Sequence, residues 1–295
     1  MKAVGIMKHG GPEALEILEV DEVEAGPGQI RIRNFAAAVN PVDVSVRNGS
    51  MAEMQKINPP PYVPGMDAAG IIDQIGKGVQ TDLKEGDSVM AMVVPNGNHG
   101  AYREQIVLDQ NAVVRAPKDS SHIQASTLPM NSLTARLSLD LLDLQKGQVL
   151  AVTGAPGAYG GYVVQLAKED GLIVIADSND NDRALLESLG VDIIIPRGEG
   201  FAENIRKEFP EGVDGIADGA LLNEHAIEAL KDGGSFTSVR GFKGEPQRDI
   251  NFTATWVTAY DCKKDILEKL KLQAEEEIIS LRVNQAVSMD KASLA

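Results

Sequence analysis

The spacing of hydrophobic and polar positions changes near residue 120. Before that point, short apolar runs are separated by glycine and proline, and the clearest are at 29–33, 69–72, 87–93 and 104–108. Alternation interrupted by turn residues is typical of strands in a barrel-like domain. From Leu133 to Leu144, leucines recur at helical spacing, which predicts a core-facing helix that opens a second domain.

Strands and helices alternate between residues 149 and 239. The pattern predicts strands at 149–153, 172–176, 192–195, 213–217 and 235–239, and helices at 163–168, 183–189, 201–209 and 223–231. Buried strands separated by helices form a parallel sheet that is covered on both faces. Residues 252–260 are expected to add a sixth strand, and residues 263–272 a charged surface helix. The sequence therefore predicts an α/β fold with a doubly wound parallel sheet.

A glycine-rich turn joins the first of these strands to its helix. Its residues are Gly154, Ala155, Pro156, Gly157, Ala158, Tyr159 and Gly160. Glycines at this spacing let the backbone approach a pyrophosphate and place it at the helix N-terminus, where N–H groups and the dipole favour anions. A tight structural turn is the alternative interpretation. Because a strand precedes the turn and Asp177 ends the next strand, the combined pattern favours dinucleotide binding.

Asp177 also bears on the choice between NADH and NADPH. A carboxylate at this place accepts hydrogen bonds from the adenosine ribose and would repel a 2′-phosphate, which favours NADH. We assign Ser178 to the same site. Arg183, six residues after Asp177, would permit NADPH by pairing with the phosphate. The alternative is that Asp177 only caps a helix that begins near Asn181.

Composition narrows the classes of function. The chain has 295 residues and a formal net charge of −15, which suggests two domains and argues against a nucleic-acid or anionic-membrane surface. Its one cysteine, Cys262, excludes an intrachain disulfide and a structural zinc site with several cysteines. The N-terminus and the later apolar runs are too short for a signal peptide or a membrane span, so we expect a cytoplasmic protein.

Further motifs carry a specific resemblance. They are, in chain order, HGGPE at 9–13, NPVD at 40–43, PGMDAAG at 64–70, GDSV at 86–89, GAY at 100–102 and LPMNSLTA at 128–135. With the glycine-rich turn, they resemble the zinc-independent quinone oxidoreductase branch of the medium-chain dehydrogenases/reductases over nearly the whole chain. The resemblance implies a GroES-like β-barrel catalytic domain at 1–123, to which residues 262–295 return. It also implies a Rossmann domain at 124–261 and a cofactor cleft between the domains.

The resemblance also implies an activity and a set of site residues. The expected reaction is hydride transfer from NAD(P)H to a quinone or an α,β-unsaturated carbonyl, while Asn40, backbone N–H groups or water stabilise the oxygen. By resemblance, Asn40 and Asp43 line the cleft near the nicotinamide, and Arg47 hydrogen-bonds within that loop or reaches the substrate. Thr134 lies near the nicotinamide amide.

Each of these residues also has an ordinary structural interpretation. Asn40 precedes a proline and would only shape a turn, Asp43 and Arg47 are spaced for a helical ion pair, and Thr134 would be a first-turn helix residue. At the ends of the fourth and fifth strands, the position of the residues at the carboxyl ends of a parallel sheet suggests nicotinamide contacts. The residues concerned are Gly219, Val239, Arg240 and Gly241. Alternatively, the two glycines only terminate strands.

A catalytic zinc ion is not expected. The zinc-dependent relatives have a cysteine and a histidine at the places that correspond to Asn40 and Met66. An amide oxygen and a thioether are poor substitutes for a thiolate and an imidazole. The four histidines are scattered along the sequence and lack the spacing of metal ligands.

Three departures from the family pattern support a second hypothesis. Ser45 stands where a tyrosine is common, Arg136 stands where an aromatic residue often follows the Thr-Ala pair, and family members usually continue beyond residue 295 through a helix and a final strand. The alternative is therefore a non-catalytic nucleotide-binding or interaction protein that is derived from such a reductase. In either case, the resemblance implies a homodimer through the edge of the Rossmann sheet, with 251–257 as the edge strand.

Overall fold

Two units of the chain each enclose a core of their own. The computed structural model describes residues 1–55, 58–198 and 200–295. The first unit comprises Met1–Met130, Tyr260–Glu275 and Leu281–Ala295, and the second comprises Asn131–Ala259 and Glu276–Ser280.

The first unit is built on antiparallel strands. They are β1 (Lys2–Gly5), β2 (Glu16–Glu19), β3 (Gln29–Ala36), β4 (Asp67–Ile75), β5 (Ser88–Met92), β6 (Gln105–Asp109) and β7 (Val113–Arg115). A five-stranded sheet has the order β6-β3-β4-β5-β7, and β1 pairs with β2. The four strands predicted from apolar runs lie in β3, β4, β5 and β6. Alternate residues of these strands, among them Ile30, Ile32 and Ile106, are fully covered in the core of this unit.

The first unit also contains helices. They are α1 (Pro41–Asn48), α2 (Ala52–Gln55), α3 (His122–Ala125) and, late in the chain, α9 (Lys264–Glu275). Asn40 is the N-cap residue of α1, Pro41 is its first residue and Gly49, with a left-handed φ of 85°, is its C-cap residue. The predicted charged helix at 263–272 corresponds to α9.

The second unit contains a six-stranded parallel sheet. Its strands are β8 (Val149–Thr153), β9 (Ile173–Ser178), β10 (Ile193–Pro196), β11 (Val213–Asp218), β12 (Leu230–Val239) and β13 (Asn251–Thr255). The order β10-β9-β8-β11-β12-β13 means that the chain winds outward from β8 in both directions. This is the doubly wound Rossmann topology, in which ligands bind where the winding direction changes.

Helices connect the strands of this sheet. They are α4 (Pro129–Leu142), which begins in the first unit, followed by α5 (Ala158–Glu169), α6 (Arg183–Ser188), α7 (Phe201–Glu208) and α8 (Glu224–Ile227). The centre of α5 is buried on all sides, from Gly160 to Ala167, because most of these residues are small or apolar. None of the helices in the described ranges is long and apolar enough to cross a membrane.

Three predicted element bounds are wrong in detail. The helix expected at 223–231 is only Glu224–Ile227, because Leu230 already begins β12 and pairs with Val213. The sixth strand ends at Thr255, and a short 3₁₀ helix follows at Val257–Tyr260. The helix predicted up to Leu144 ends at Leu142.

Candidate cofactor site and active site

The glycine-rich turn links β8 to the N-terminus of α5. Gly154 adopts a left-handed φ of 67°, and Gly157 is the N-cap residue of the helix. A Cβ atom on Gly160 would lie 2.4 Å from the Gly154 carbonyl oxygen and 2.7 Å from the Ala155 Cα. The helix can therefore lie against the turn only because Gly160 has no side chain.

A cavity of about 410 Å³ opens at this turn, at the carboxyl ends of neighbouring strands. It is lined by Gly154, Pro156, Gly157, Asp177, Arg197, Gly198, Phe201, Ala220 and Leu222. Among the described residues, the cavity thus combines the N-terminal end of a twelve-residue helix with the Asp177 carboxylate and the Arg197 guanidinium. This combination suits a ligand that carries phosphate and ribose groups.

Asp177 holds two of the loops that border the cavity. Its Oδ1 accepts a hydrogen bond from the Gly154 N–H at 3.3 Å, and its Oδ2 accepts one from the Arg197 Nε at 3.1 Å. The Asp177 side chain is 6 % exposed, whereas that of Arg197 is 40 % exposed. The interpretation of Asp177 as a helix cap is wrong, because the N-cap residue of α6 is Asp182.

Arg197, and not Arg183, is the arginine of the cavity. Arg183 is 55 % exposed, lies 3.7 Å from Glu187 on its own helix and is not among the lining residues. Arg197 directly follows β10, which pairs with β9 so that Ile195 lies opposite Asp177. The available signal was its position: adjacent parallel strands place their carboxyl ends at the same edge of the sheet.

The other residues predicted around the turn occupy different surroundings. Ala155 is fully buried, Ala158 is exposed as the first residue of α5, and Ser178 donates to the Asn179 carbonyl at 2.6 Å. The Tyr159 hydroxyl points away from the turn and donates to the Ser138 Oγ of α4 at 2.8 Å. Burial raises the pKa of Tyr159 well above its ordinary value.

Thr134 also belongs to α4. It is 6 % exposed and is the sixth residue of this helix, which begins at Pro129. The interpretation of Thr134 as a first-turn residue is therefore wrong, because the helix starts one turn earlier than its apolar spacing indicates.

The loops after β11 and β12 are shaped by hydrogen bonds to Asp218 and by positive φ angles, respectively. Asp218 accepts from the Leu222 and Asn223 N–H groups at 3.0 and 2.8 Å, which fixes the loop that starts at Gly219. After Val239, the last residue of β12, Arg240 and Gly241 have positive φ values of 71° and 84°. Of the four residues predicted in these loops, none lines the cavity described above.

A second polar cluster lies in the first unit, between α1 and β4. The Asp43 carboxylate accepts from the backbone N–H groups of Asn40 and Gly65, each at 2.8 Å, and from the Tyr102 hydroxyl at 3.1 Å. The Asn40 Nδ2 donates to the Asp67 Oδ2 at 2.7 Å. Asn40, Asp43 and Asp67 are 3 %, 4 % and 0 % exposed. The structure thus brings Asn40 and Asp43 together. It adds Asp67 and Tyr102, which belong to the motifs at 64–70 and 100–102 but were not predicted as site residues.

Burial governs the protonation of this cluster. It raises the pKa of Asp43 to about 6 and that of Asp67 to about 7, and the hydrogen bonds to each carboxylate only partly oppose it. The pKa of Tyr102 is also raised, by burial and by the charge of Asp43. Carboxyl groups with such pKa values change charge near neutrality, as is common at functional sites.

Arg47 follows Asp43 on α1 but does not pair with it. The hydrogen-bond partners of Asp43 are the three groups given above, and Arg47 forms no ion pair with any residue in the described part of the chain. The Arg47 Nε is covered without a hydrogen-bond partner there. The interpretation of these two residues as a helical ion pair is therefore wrong.

The two side chains that depart from the family pattern have structural partners. The Ser45 hydroxyl donates to the Pro41 carbonyl, one turn earlier on α1, at 3.3 Å. Arg136 pairs with Asp140 at 2.8 Å and with Asp170 at 2.7 Å. Arg136 is thus part of an ion-pair network between α4 and the end of α5.

Asn40 and Met66, which correspond to the zinc ligands of the zinc-dependent relatives, do not suit zinc. The Asn40 amide is hydrogen-bonded to Asp67, and Met66 is 5 % exposed. Over residues 1–55, 58–198 and 200–295, no three or more His, Cys, Asp or Glu residues cluster as a metal site would require. Since zinc prefers thiolate and imidazole ligands, this donor set does not fit it.

Comparison with known proteins gives consistent matches. Residues 26–118 match the alcohol dehydrogenase GroES-like domain. The chain is 31 % identical over 280 residues to the chloroplastic NADPH-dependent alkenal/one oxidoreductase of Arabidopsis thaliana, covering 92 % of this chain and 68 % of that protein. It is 28 % identical over 314 residues to the quinone oxidoreductase of Sus scrofa, covering 100 % of this chain and 92 % of that protein.

A solved structure shows the same fold. The quinone oxidoreductase from Coxiella burnetii superposes with a TM-score of 0.88 over 100 % of this chain and 93 % of its own, at 24 % identity. The strand order described above and this superposition agree on a Rossmann sheet combined with a GroES-like domain.

Proposed function

The chain belongs to the superfamily of zinc-type alcohol dehydrogenases and quinone oxidoreductases, and we propose that it is an NADPH-dependent, zinc-independent reductase of quinones or α,β-unsaturated carbonyls. The observation that carries the proposal is the cavity at the glycine-rich turn, where Arg197 lies beside Asp177. The named activities of the Arabidopsis and Sus scrofa relatives support the choice of substrate class.

The cofactor would be held by the turn and by the ends of β9 and β10. Gly154 and Gly157 would admit the pyrophosphate to the N-terminus of α5, and Asp177 would face the adenosine ribose. Both oxygens of Asp177 already accept hydrogen bonds, and the partly exposed Arg197 offers further N–H donors to a 2′-phosphate. We therefore favour NADPH, although Asp177 alone predicts NADH.

The chemistry would divide between the cofactor and the first unit. Bound NADPH supplies the hydride. Asn40 and backbone N–H groups at the start of α1 would stabilise the oxygen of the acceptor, and the Arg47 cation of the same helix would add positive charge there. A water molecule or the Tyr102 hydroxyl would supply the proton. In this proposal, Thr134, the loop after β11 at Gly219 and the loop after β12 at Val239, Arg240 and Gly241 contact the nicotinamide.

The edge strand of the parallel sheet and the composition of the chain bear on the oligomeric state and the cellular compartment. We propose a homodimer through β13, because this strand is at the edge of the parallel sheet and pairs only with β12 in the described residues. The lone Cys262 and the charge of −15 support a cytoplasmic protein whose partner molecules are small substrates, not nucleic acid or membrane.

A fluorescence titration with NADPH and NADH tests the cofactor part. We expect saturable binding that favours NADPH, and loss of this binding in Gly157→Val, whose side chain would enter the cavity. Absence of binding by the unmodified protein would overturn the proposal.

A panel of enones and quinones then tests the reaction, with NADPH oxidation as the readout. We expect turnover with at least one class. Tight NADPH binding without turnover on any member would instead favour the non-catalytic nucleotide-binding protein, for which the serine at position 45 is the supporting observation.

A further inference from the structure

Asp67 is a fully buried carboxyl group with an unusual pair of partners. Its Oδ1 accepts from the backbone N–H of Met130, the second residue of α4, at 2.7 Å. Its Oδ2 accepts from the Asn40 Nδ2 at 2.7 Å. It forms no ion pair within the described ranges, so no cation keeps it ionised.

The titratable groups around Asp67 are few. From α1 it faces Asp43, whose charge raises the pKa of Asp67 further, and the Tyr102 hydroxyl acts on the same pair of carboxyl groups. Its neighbour on β5, Met92, and its partner on α4, Met130, carry no charge. With burial as the main cause, the pKa of Asp67 is about 7, so both charge states are populated near neutrality.

The two charge states demand opposite orientations of the Asn40 amide. An ionised carboxylate only accepts hydrogen bonds, so Asn40 must turn its NH₂ group toward Asp67. A protonated carboxyl must donate one. Because the Oδ1 is held as an acceptor by the Met130 N–H, the proton belongs on Oδ2, and Asn40 must then turn its Oδ1 toward Asp67.

The Asn40 side-chain amide has two ends. One end bonds Asp67, and the other faces the first turn of α1. In the orientation observed, this second end is the carbonyl oxygen, arranged as in a capping box with Asp43. The Asp43 N–H also donates to the Asn40 backbone carbonyl at 3.0 Å, so it keeps a partner when the amide turns over. Turning the amide exchanges an acceptor for a donor at the end of the helix where N–H groups favour anions.

We propose that Asp67 is a positioning residue whose proton decides whether Asn40 presents a hydrogen-bond donor or an acceptor at the first turn of α1. The inference rests on the proposed function, in which Asn40 stabilises the developing oxyanion of the substrate. With the proton on Asp67, the Asn40 NH₂ group faces the oxyanion. Without it, the carbonyl oxygen faces the oxyanion and opposes its formation.

The variant Asp67→Asn tests this role. The introduced amide accepts from the Met130 N–H with its oxygen and donates to Asn40 with its NH₂ group, which mimics the protonated carboxyl at every pH. In the unmodified protein, we expect kcat at saturating NADPH and acceptor to fall roughly 90-fold between pH 6 and pH 9, as a single essential acid with a pKa of about 7 predicts. In Asp67→Asn we expect this ratio to fall to about 1, and in the matched variant Asp43→Asn we expect the decline to persist.

The result that overturns the inference is an alkaline decline that persists in Asp67→Asn. An unmodified enzyme that turns over enones with a flat profile between pH 6 and pH 9 also overturns it, while leaving the proposed function intact. Absence of NADPH binding or of any turnover by the unmodified enzyme overturns the proposed function instead, so the two failures are distinguishable.

A measurement on the unmodified protein does not depend on a variant that folds. The side-chain amide signals of Asn40, followed by NMR after selective ¹⁵N-asparagine labelling and assigned by their loss in Asn40→Ser, should shift with a midpoint near pH 7. Signals that stay constant from pH 6 to pH 8.5 would refute the coupling.

Discussion

Replacing Arg197 by alanine should change the preferred cofactor. In the structure, the Arg197 Nε lies 3.1 Å from the Asp177 Oδ2, and a second guanidinium nitrogen lies 3.5 Å from Asp182. Arg197→Ala removes the guanidinium that we assign to the 2′-phosphate. It also leaves Asp177 with the Gly154 N–H as its remaining donor in the described residues.

The magnitude follows from these contacts. Hydrogen bonds to charged groups contribute about 1.5–3 kcal/mol, and the lower half of that range applies because Arg197 is 40 % exposed. NADPH should therefore bind about 10- to 40-fold more weakly to Arg197→Ala. The released Asp177 carboxylate accepts ribose hydroxyls and repels a phosphate, so NADH should bind equally well or up to about fivefold more tightly.

Parallel fluorescence titrations with NADPH and NADH measure this effect, and two variants serve as controls. Arg197→Lys keeps the charge but loses the planar guanidinium, so we expect an intermediate loss of NADPH affinity. Arg183→Ala should change neither dissociation constant by more than about twofold, because Arg183 is an exposed side chain that faces Glu187. An equal loss of both cofactors in Arg197→Ala, or a switch caused by Arg183→Ala, would refute the reasoning.

Three further predictions concern packing and charge. Gly157→Val should abolish NADPH binding while the thermal midpoint stays within a few degrees, because its Cβ would meet only the Gly154 oxygen at 3.1 Å. Gly160→Val should instead lower the thermal midpoint strongly, since its Cβ would lie 2.4 Å from the same atom. Asp43 and Asp67 have folded-state pKa values raised above those of the unfolded chain, so their stabilisation is present at low pH and lost as pH rises through about 6 and about 7. Urea unfolding should accordingly show a free energy that falls by up to about 1.4 kcal/mol per pH unit for each group, from about pH 4 to pH 6 for Asp43 and from about pH 4 to pH 7 for Asp67. A free energy that rises over this range would contradict the sign.

The sequence by itself determined the features that depend on neighbouring residues. The apolar strands, the glycine-rich turn after β8 and the place of Asp177 at the end of β9 are all visible within short windows. Local spacing carries this information because strand and helix periodicity, and the backbone freedom of glycine, act over a few residues. The resemblance then supplied the family, which the matches to the GroES-like domain and to the reductases confirm.

Only the tertiary structure decided which distant residues meet. The pairing of β9 with β10 brings Arg197 to Asp177, although Arg183 is closer to Asp177 along the chain. In the same way, the tertiary fold brings Asn40, the N-cap residue of α1, to Asp67, the first residue of β4, and removes both from water. Strand order and burial depend on contacts between segments far apart in the chain, and these contacts set the partner of each charged group and its pKa.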